Sequence, residues 1–161
     1  MTQLEFAKNN KVNDVVRIIA ENEHVSINKL MQGIVKGHIV IPYNNTRLIK
    51  KPCAIGAGLS TKVNANIGTS TDEIQLEEEL KKLRVSIDCG ADAVMDLSVG
   101  GDLSKIRRRI IKECSVPLGT VPIYEVAVNA QKQKKDTLSF DSKDIISVLE
   151  NQAKEGVDFF T

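Results

Sequence analysis

The sequence predicts an α/β fold: the first half of a parallel (β/α)8 TIM-type barrel, preceded by a small helical and irregular N-terminal layer. Three segments with strand pattern are each followed by helix pattern, no segment reads as an antiparallel hairpin, and residues 157–161 read as a fourth strand. Such alternation favours a parallel sheet, and a closed barrel needs eight strands and about 250 residues. We therefore expect residues 1–60 to form an N-terminal region and residues 61–161 to form the first four strands of a truncated barrel. A doubly wound open sheet is the alternative.

Composition and charge narrow the class of protein. The chain has 161 residues, 42% of them hydrophobic and 27% charged, which is enough for one globular core. A net charge of +1 gives no field that would recruit nucleic acid or an anionic membrane. No apolar stretch reaches 18 residues, and the N-terminus lacks a secretory signal. We expect a cytoplasmic protein without nucleic-acid or membrane partners.

Residues that bind metals are sparse and scattered. Cys53, Cys89 and Cys114 are odd in number and far apart, so they exclude a fully paired disulfide framework and show no CxxC spacing. His24 and His38 have no partner at ligand spacing. We expect reduced, mostly packed thiols, structural or surface histidines, and no metal site formed by this chain.

The first sixty residues predict two short helices and one short strand. Asn13 or Asp14 can cap the first helix and Ser26 the second. Residues 38–42 read as a strand stopped by proline, and residues 43–51 as a polar, basic loop.

Regular strand and helix units begin at residue 62. Residues 62–67 predict a strand, and Ser70 with Glu73 fits a capping box that opens the next helix. The apolar face of that helix repeats at helical spacing, as Leu76, Leu80, Leu83 and Ile87. Gly90 ends the helix, and residues 93–97 form the second strand.

The later units follow the same plan. Asp102 can cap a helix, and residues 115–121 form the third strand. A last helix ends before Gly156, and its apolar face is Ile145, Ile146, Leu149 and Ala153. The charged run 132–135 is predicted to be solvated surface.

Two junctions repeat each other, which supports a repeating unit. Gly90-Ala91-Asp92 precedes one strand and Gly156-Val157-Asp158 precedes another. Glycine supplies the left-handed conformation with which a helix ends before a turn.

Polar residues at the carboxyl ends of parallel strands are the candidates for ligand contact, because ligands bind at that edge in both barrels and open sheets. Asn64 and Asn66 place two carboxamides in an apolar strand and suit a heterocycle or a ribose hydroxyl, although one of them could cap a backbone edge instead. Lys62 could bind phosphate or form a Schiff base, but a salt bridge to a neighbouring carboxylate is the preferred interpretation.

Two further strand ends carry candidates. Met95 ends the second strand, where methionine is usually core filling. The loop 98–102, with glycines and a hydroxyl before a helix, could present amides to an anion or could be a simple turn. Tyr124 follows the third strand and offers a ring for stacking and a phenol for hydrogen bonding.

Several ordered motifs resemble the phosphomethylpyrimidine synthase family. They cover essentially the whole chain but only the amino-terminal portion of the family: residues 1–7, 62–68, 90–98, 116–124 and 155–159. The chain departs from the family pattern in the loop 41–47 and at Val99, where threonine is usual, so the role of that loop stays open.

The resemblance implies an enzyme of thiamine biosynthesis that converts aminoimidazole ribotide to hydroxymethylpyrimidine phosphate with S-adenosylmethionine. It also implies a 4Fe–4S cluster, zinc and substrate contacts at Asn66, Met95 and Tyr124. The family's next substrate histidine would follow Thr161, and its metal ligands and three-cysteine motif lie outside this chain. The fragment alone is therefore expected to be inactive.

Two alternatives to an enzyme fragment remain open. The chain could be a non-catalytic ribotide-binding or oligomerisation module, since a half barrel exposes strand edges that favour homo-oligomers or association with the missing C-terminal portion. A weaker alternative is an unrelated phosphate-binding barrel fragment that uses Lys62 covalently.

Overall fold

The computed structural model describes residues 1–133 and 139–161, and these contain seven helices and six strands. In chain order they are α1 Gln3–Lys8, α2 Asp14–Asn22, α3 Ile27–Val35, β1 Ile39–Val40, β2 Ile55–Gly56, β3 Asn64–Ile67, α4 Leu76–Asp88, β4 Ala93–Asp96, α5 Leu103–Glu113, β5 Leu118–Thr120, α6 Pro122–Lys132, α7 Ser142–Glu155 and β6 Phe159–Phe160. No helix in these described ranges is both long and apolar enough to cross a membrane.

The main sheet is parallel and has the order β3-β4-β5-β6. Each strand lies inside one of the four predicted segments, although all are shorter than predicted. The mixed α/β architecture with a four-stranded parallel sheet is therefore confirmed.

One face of the sheet packs on helices α4 and α5. The core between them contains Ile67, Val94 and Leu118 from the sheet, with Leu80 and Leu83 from α4 and Ile106 and Ile110 from α5. Leu80 and Leu83 are completely buried, as their predicted helix face requires. Burial of each such leucine contributes about 1.5–3 kcal/mol to folding.

The N-terminal residues form a second apolar cluster. Helices α2 and α3 are capped by Asn13 and Ser26, as predicted, because each side-chain oxygen accepts from a backbone N–H of the first turn. Buried residues from α1, α2, α3 and β1 make up the cluster together with Ala54. Helix α1 was not predicted, and it begins with a capping box formed by Thr2 and Glu5.

The expectation that the chain has no antiparallel pairing is wrong for this region. Strands β1 and β2 pair antiparallel, with Ile39 opposite Gly56 and Val40 opposite Ile55. The strands are two residues each and are separated by the loop 41–54, so neither shows the alternation that identifies a hairpin.

Two local predictions in the main sheet region need correction. Ser70 Oγ accepts from Glu73 N at 3.0 Å, but this contact closes a turn, and α4 begins only at Leu76 without a side-chain cap. Helix α6 was not predicted after the third strand, and it begins at Pro122. Proline fits there because the first helical N–H has no partner within the helix.

The face of α7 also differs from its prediction. Val148 and Gln152 are its buried residues, whereas Ile146 is 53% exposed. Gly156 ends α7 with φ of 109°, the left-handed conformation predicted for this junction.

In the charged run 132–135, Lys132 is exposed and its side chain donates to Gly101 O. Residues 134 and 135 lie outside the described residues.

The two repeated junctions make the same contact. Val63 N donates to Asp92 Oδ2 at 2.8 Å, and Leu118 N donates to Asp158 Oδ2 at 2.8 Å. In both cases the aspartate that follows Gly-X at the start of one strand accepts from the backbone at the start of the neighbouring strand. The repetition read from the sequence thus has a structural counterpart at the amino edge of the sheet.

Residues 44–47 also bind to this amino edge. Asp158 forms an ion pair with Arg47 and accepts from Asn44 N at 2.8 Å. Arg47 also donates to Cys114 O and Val116 O, each at 2.9 Å. The loop that departs from the family pattern therefore connects the N-terminal residues to the sheet.

Candidate functional site

The face of the sheet opposite α4 and α5 carries a row of aligned residues. Asn66 is the register partner of Met95, Met95 of Gly119, and Gly119 of Phe159. Their chain neighbours, such as Val94, lie in the helix-covered core, and side chains alternate between the two faces of a strand. We call the surface formed by Asn64, Asn66, Met95, Gly119 and Phe159 the open face.

The two predicted carboxamides lie together on the open face. Asn64 and Asn66 are both exposed, and Asn64 Nδ2 donates to Asn66 Oδ1 at 2.9 Å. Because the side-chain oxygen of Asn66 accepts this hydrogen bond, the side-chain NH2 group of Asn66 is the part that faces solvent. The pair can thus offer a hydrogen-bond donor to a polar ligand.

Of the three predicted substrate contacts, the structure brings Asn66 and Met95 side by side. Tyr124 lies at the same edge of the sheet but in the first turn of α6, four residues after the end of β5 at Thr120. It is 44% exposed. Its ring and phenol are therefore accessible, although it belongs to a helix and not to a strand end.

The polar groups of the loop 98–102, predicted as a possible anion site, form hydrogen bonds within the protein. Asp96 Oδ1 accepts from Ser98 N at 3.0 Å and from Ser98 Oγ at 2.5 Å. Ser98 Oγ also accepts from Thr69 N, and Thr69 Oγ1 donates to Gly100 O at 2.8 Å. Burial raises the pKa of Asp96, and the hydrogen bonds from Ser98 oppose this shift. These bonds join the β3–α4 and β4–α5 loops.

A buried charge cluster, which was not predicted, supports the end of β5. Arg107 binds Glu125 through Nη1 at 2.8 Å and Glu155 through Nε at 2.5 Å. Glu125 also accepts from Gln152, whose Oε1 accepts from Thr120 Oγ1 at 2.6 Å. The cluster fixes the first turn of α6, which carries Tyr124. Arg107 lies in a run of three arginines that resembles an exposed basic segment, so its burial has little signal in the sequence.

Lys62 has the salt bridge that the sequence analysis preferred. Its Nζ lies 2.6 Å from Glu23 Oε1 and donates to Ser60 O at 2.7 Å, and both charged side chains are 8% exposed. Lys62 precedes β3, so it lies at the amino end of that strand. Covalent or phosphate chemistry at Lys62 has no support from this arrangement.

The described residues do not fit an iron–sulfur cluster or a zinc ion. Cys53 and Cys114 are buried and Cys89 is exposed. Burial raises the pKa of Cys53 to about 11, which disfavours the thiolate that a metal needs. In residues 1–133 and 139–161, no three histidine, cysteine, aspartate or glutamate side chains converge as metal ligands.

Comparison with known proteins agrees with the resemblance seen in the sequence. Residues 2–161 match the Radical SAM ThiC family. Proteins named phosphomethylpyrimidine synthase are 50% identical in Desulfotalea psychrophila, 49% in Caldanaerobacter subterraneus subsp. tengcongensis and 44% in Methanococcus aeolicus. Each match covers 100% of this chain but only 37–38% of the relative, so the chain spans a little over a third of the length of these proteins. Because the family match covers nearly every residue, the chain belongs to the radical SAM ThiC family.

Proposed function

We propose that this chain is the ribotide-binding part of a phosphomethylpyrimidine synthase. The whole enzyme would convert aminoimidazole ribotide to hydroxymethylpyrimidine phosphate with S-adenosylmethionine, in the cytoplasm, as a step of thiamine biosynthesis. The observation that carries the proposal is the alignment of Asn66 and Met95 on the open face. Relatives of 44–50% identity with the synthase name support it.

Each predicted contact has a role that suits a ribotide. The amide group of Asn66 would donate to a ring nitrogen or a ribose hydroxyl. Met95 would supply a polarisable apolar contact, and Tyr124 would stack on the ligand or hydrogen-bond to it. The three side chains thus combine polar and apolar contacts at one edge of the sheet.

The architecture proposed for the whole enzyme is a (β/α)8 barrel, to which residues 61–161 would contribute the first four strands after the N-terminal region 1–60. The four-stranded parallel sheet supports this architecture. S-Adenosylmethionine, the cluster and zinc would be held by other parts of the enzyme. This chain alone would bind the ribotide without turning it over.

Calorimetric titration with aminoimidazole ribotide tests the proposal. We expect saturable binding to the unmodified chain, and about tenfold weaker binding for Asn66→Ala because one hydrogen bond to the ligand is lost. Tyr124→Phe should also weaken binding. The matched control is Tyr43→Phe, which changes the other tyrosine of the chain and should leave affinity unchanged. Absence of saturable binding, or equal affinity in Asn66→Ala, would contradict the proposal.

A second proposal concerns association with other chains. Strands β3 and β6 are the outer strands of the described sheet. Val63, just before β3, is 59% exposed, and Phe160, in β6, is 38% exposed. Unpaired strand edges favour pairing with another strand. We propose that the chain self-associates through these edges, or binds the C-terminal portion of a synthase when it is present. Sedimentation that shows a monomer at all concentrations would contradict self-association.

A further inference from the structure

An aromatic ring lies across the open face beside the predicted contacts. Phe159 is the register partner of Gly119, and a Cβ atom added to Gly119 would lie 2.3 Å from both Cε2 and Cζ of the Phe159 ring. Such a distance is a severe clash, so the ring occupies the space that a side chain at position 119 would fill. The absence of a side chain at Gly119 lets the ring lie over the strand next to Met95.

The neighbouring phenylalanine points to the other side of the sheet. Phe160 is the register partner of Thr120, whose hydroxyl donates to Gln152 of α7. Because side chains alternate along a strand, Phe159 and Phe160 belong to opposite faces. The two adjacent rings therefore differ in one respect that matters for a ligand, which is access to the open face.

The open face combines the groups that a ribotide base needs. Across the sheet it presents a carboxamide at Asn66, a thioether at Met95 and the partly exposed ring of Phe159 above Gly119. A heterocycle gains affinity by packing on an aromatic ring, in addition to any hydrogen bond to its edge. The motifs quoted for the resemblance gave Phe159 no role.

We propose that Phe159 is a further ligand-contacting residue, whose ring packs against the imidazole ring of the ribotide. Gly119 is then a specificity-determining position, since any larger residue would displace that ring. This inference rests on the proposed function, because it names one more contact in the same site.

The test compares two ligands and two adjacent phenylalanines by calorimetry. Aminoimidazole ribotide carries the heterocycle, whereas ribose 5-phosphate lacks it. For Phe159→Leu we expect about tenfold weaker binding of the ribotide and less than a twofold change for ribose 5-phosphate. Phe160→Leu is the matched control and should change neither affinity more than twofold. Phe159→Tyr should retain ribotide affinity, and Gly119→Ala should lose it to about the same extent as Phe159→Leu.

The outcomes separate this inference from the proposed function. If the unmodified chain binds the ribotide and Phe159→Leu binds it within twofold of that affinity, the ring contact is wrong and the proposed function stands. An equal loss for both ligands in Phe159→Leu also overturns the ring contact. If the unmodified chain shows no saturable binding of the ribotide, both fail.

Nuclear magnetic resonance of the unmodified chain tests the same contact without requiring any variant to fold. With ¹³C-labelled phenylalanine, saturating ribotide should shift the ring resonances of Phe159 more than those of Phe160. Equal shifts, or no shift at Phe159 while calorimetry shows binding, would overturn the inference.

Discussion

The two edges of the parallel sheet differ in the polar residues that they leave exposed to solvent. At the amino edge, Asp158 has a fully buried side chain and forms an ion pair with Arg47. Lys62 and Glu23 form a second ion pair, in which each side chain is 8% exposed. Toward the carboxyl edge, Asp96 and Arg107 are also buried with protein partners, but Asn66 and Tyr124 are exposed. Polar groups that already have protein partners stabilise the fold, and polar groups that face solvent can receive a ligand.

This difference indicates that substitutions at separate places can change the stability of the fold and the affinity for a ligand. In parallel barrels, residues at the amino edge serve stability and residues at the carboxyl edge serve the active site. Variants at the amino edge should therefore alter unfolding, and variants on the open face should alter ligand affinity. We expect the largest effect on stability at the amino edge and the smallest on the open face.

Removal of the guanidinium at the amino edge should cost the most stability. Arg47→Ala leaves the buried carboxylate of Asp158 without its counter-charge, and we expect a loss of about 3–5 kcal/mol in the free energy of unfolding by urea. Arg17→Ala is the control, because Arg17 pairs with Asp14 on the surface and should change stability by less than about 1 kcal/mol. Equal losses in the two variants would contradict a special role for the amino edge.

Thiol reactivity should distinguish buried from exposed cysteines. Because burial raises the pKa of Cys53 to about 11, its thiolate fraction at pH 8 is about a hundredfold below that of an ordinary cysteine. Burial also raises the pKa of Cys114, and Cys89 is exposed. Iodoacetamide at pH 8 should modify Cys89 alone in the folded chain, as measured by peptide mass spectrometry. Rapid modification of Cys53 without denaturant would contradict the burial of its thiol.

The Glu23–Lys62 pair should make stability depend on pH. Burial raises the pKa of Glu23, but the hydrogen bonds from Lys62 and Ser60 lower it by more than burial raises it. The folded-state pKa therefore lies below the usual 4.5. The contribution of Glu23 is therefore present above about pH 4.5 and is lost as pH falls through the folded-state pKa. Glu23→Gln should lower the free energy of unfolding by about 2 kcal/mol at pH 7.

Thermal unfolding from pH 7 to pH 3 checks this pH dependence. The difference in Tm between Glu23→Gln and the unmodified chain should shrink below pH 4.5. A difference that stays constant across this range would show that the ionised carboxylate is not responsible.

The open face should give the smallest effect on stability. Asn66 is exposed, so Asn66→Ala should change the free energy of unfolding by less than about 0.5 kcal/mol. A loss above about 1 kcal/mol in urea would mean that Asn66 stabilises the sheet, and the separation between the two edges would fail.

The sequence predicted best those elements whose local signals agree with their packing. Asn13, Ser26 and Asp102 cap helices as expected, because a side-chain cap acts within one turn. Helix α6 was missed because its apolar start after β5 reads equally well as a continued strand. The late start of α4 was missed because a capping contact can also close an isolated turn, as Ser70 and Glu73 do.

The site was predictable only in part for a similar reason. The positions of Asn66 and Met95 follow from strand ends, but their alignment depends on strand register, which the sequence does not specify by itself. Phe159 and Gly119 become neighbours only through the pairing of β5 with β6. The contacts of Arg47 and Arg107 join residues 18 to 111 positions apart, so no local pattern reveals them.

The carboxylate of Asp158 also imposes an order on folding during synthesis. It is 114 residues from Asn44, which donates to it, so residues 44–47 are made long before their acceptor exists. At about 5–20 residues per second, the ribosome takes roughly 6–23 s to cover that distance. Until then Arg47 has no counter-charge, although two of its acceptors, Cys114 O and Val116 O, are made about 40 residues earlier. Synthesis of Asp158 is therefore the event that completes the contacts of residues 44–47 with the amino edge.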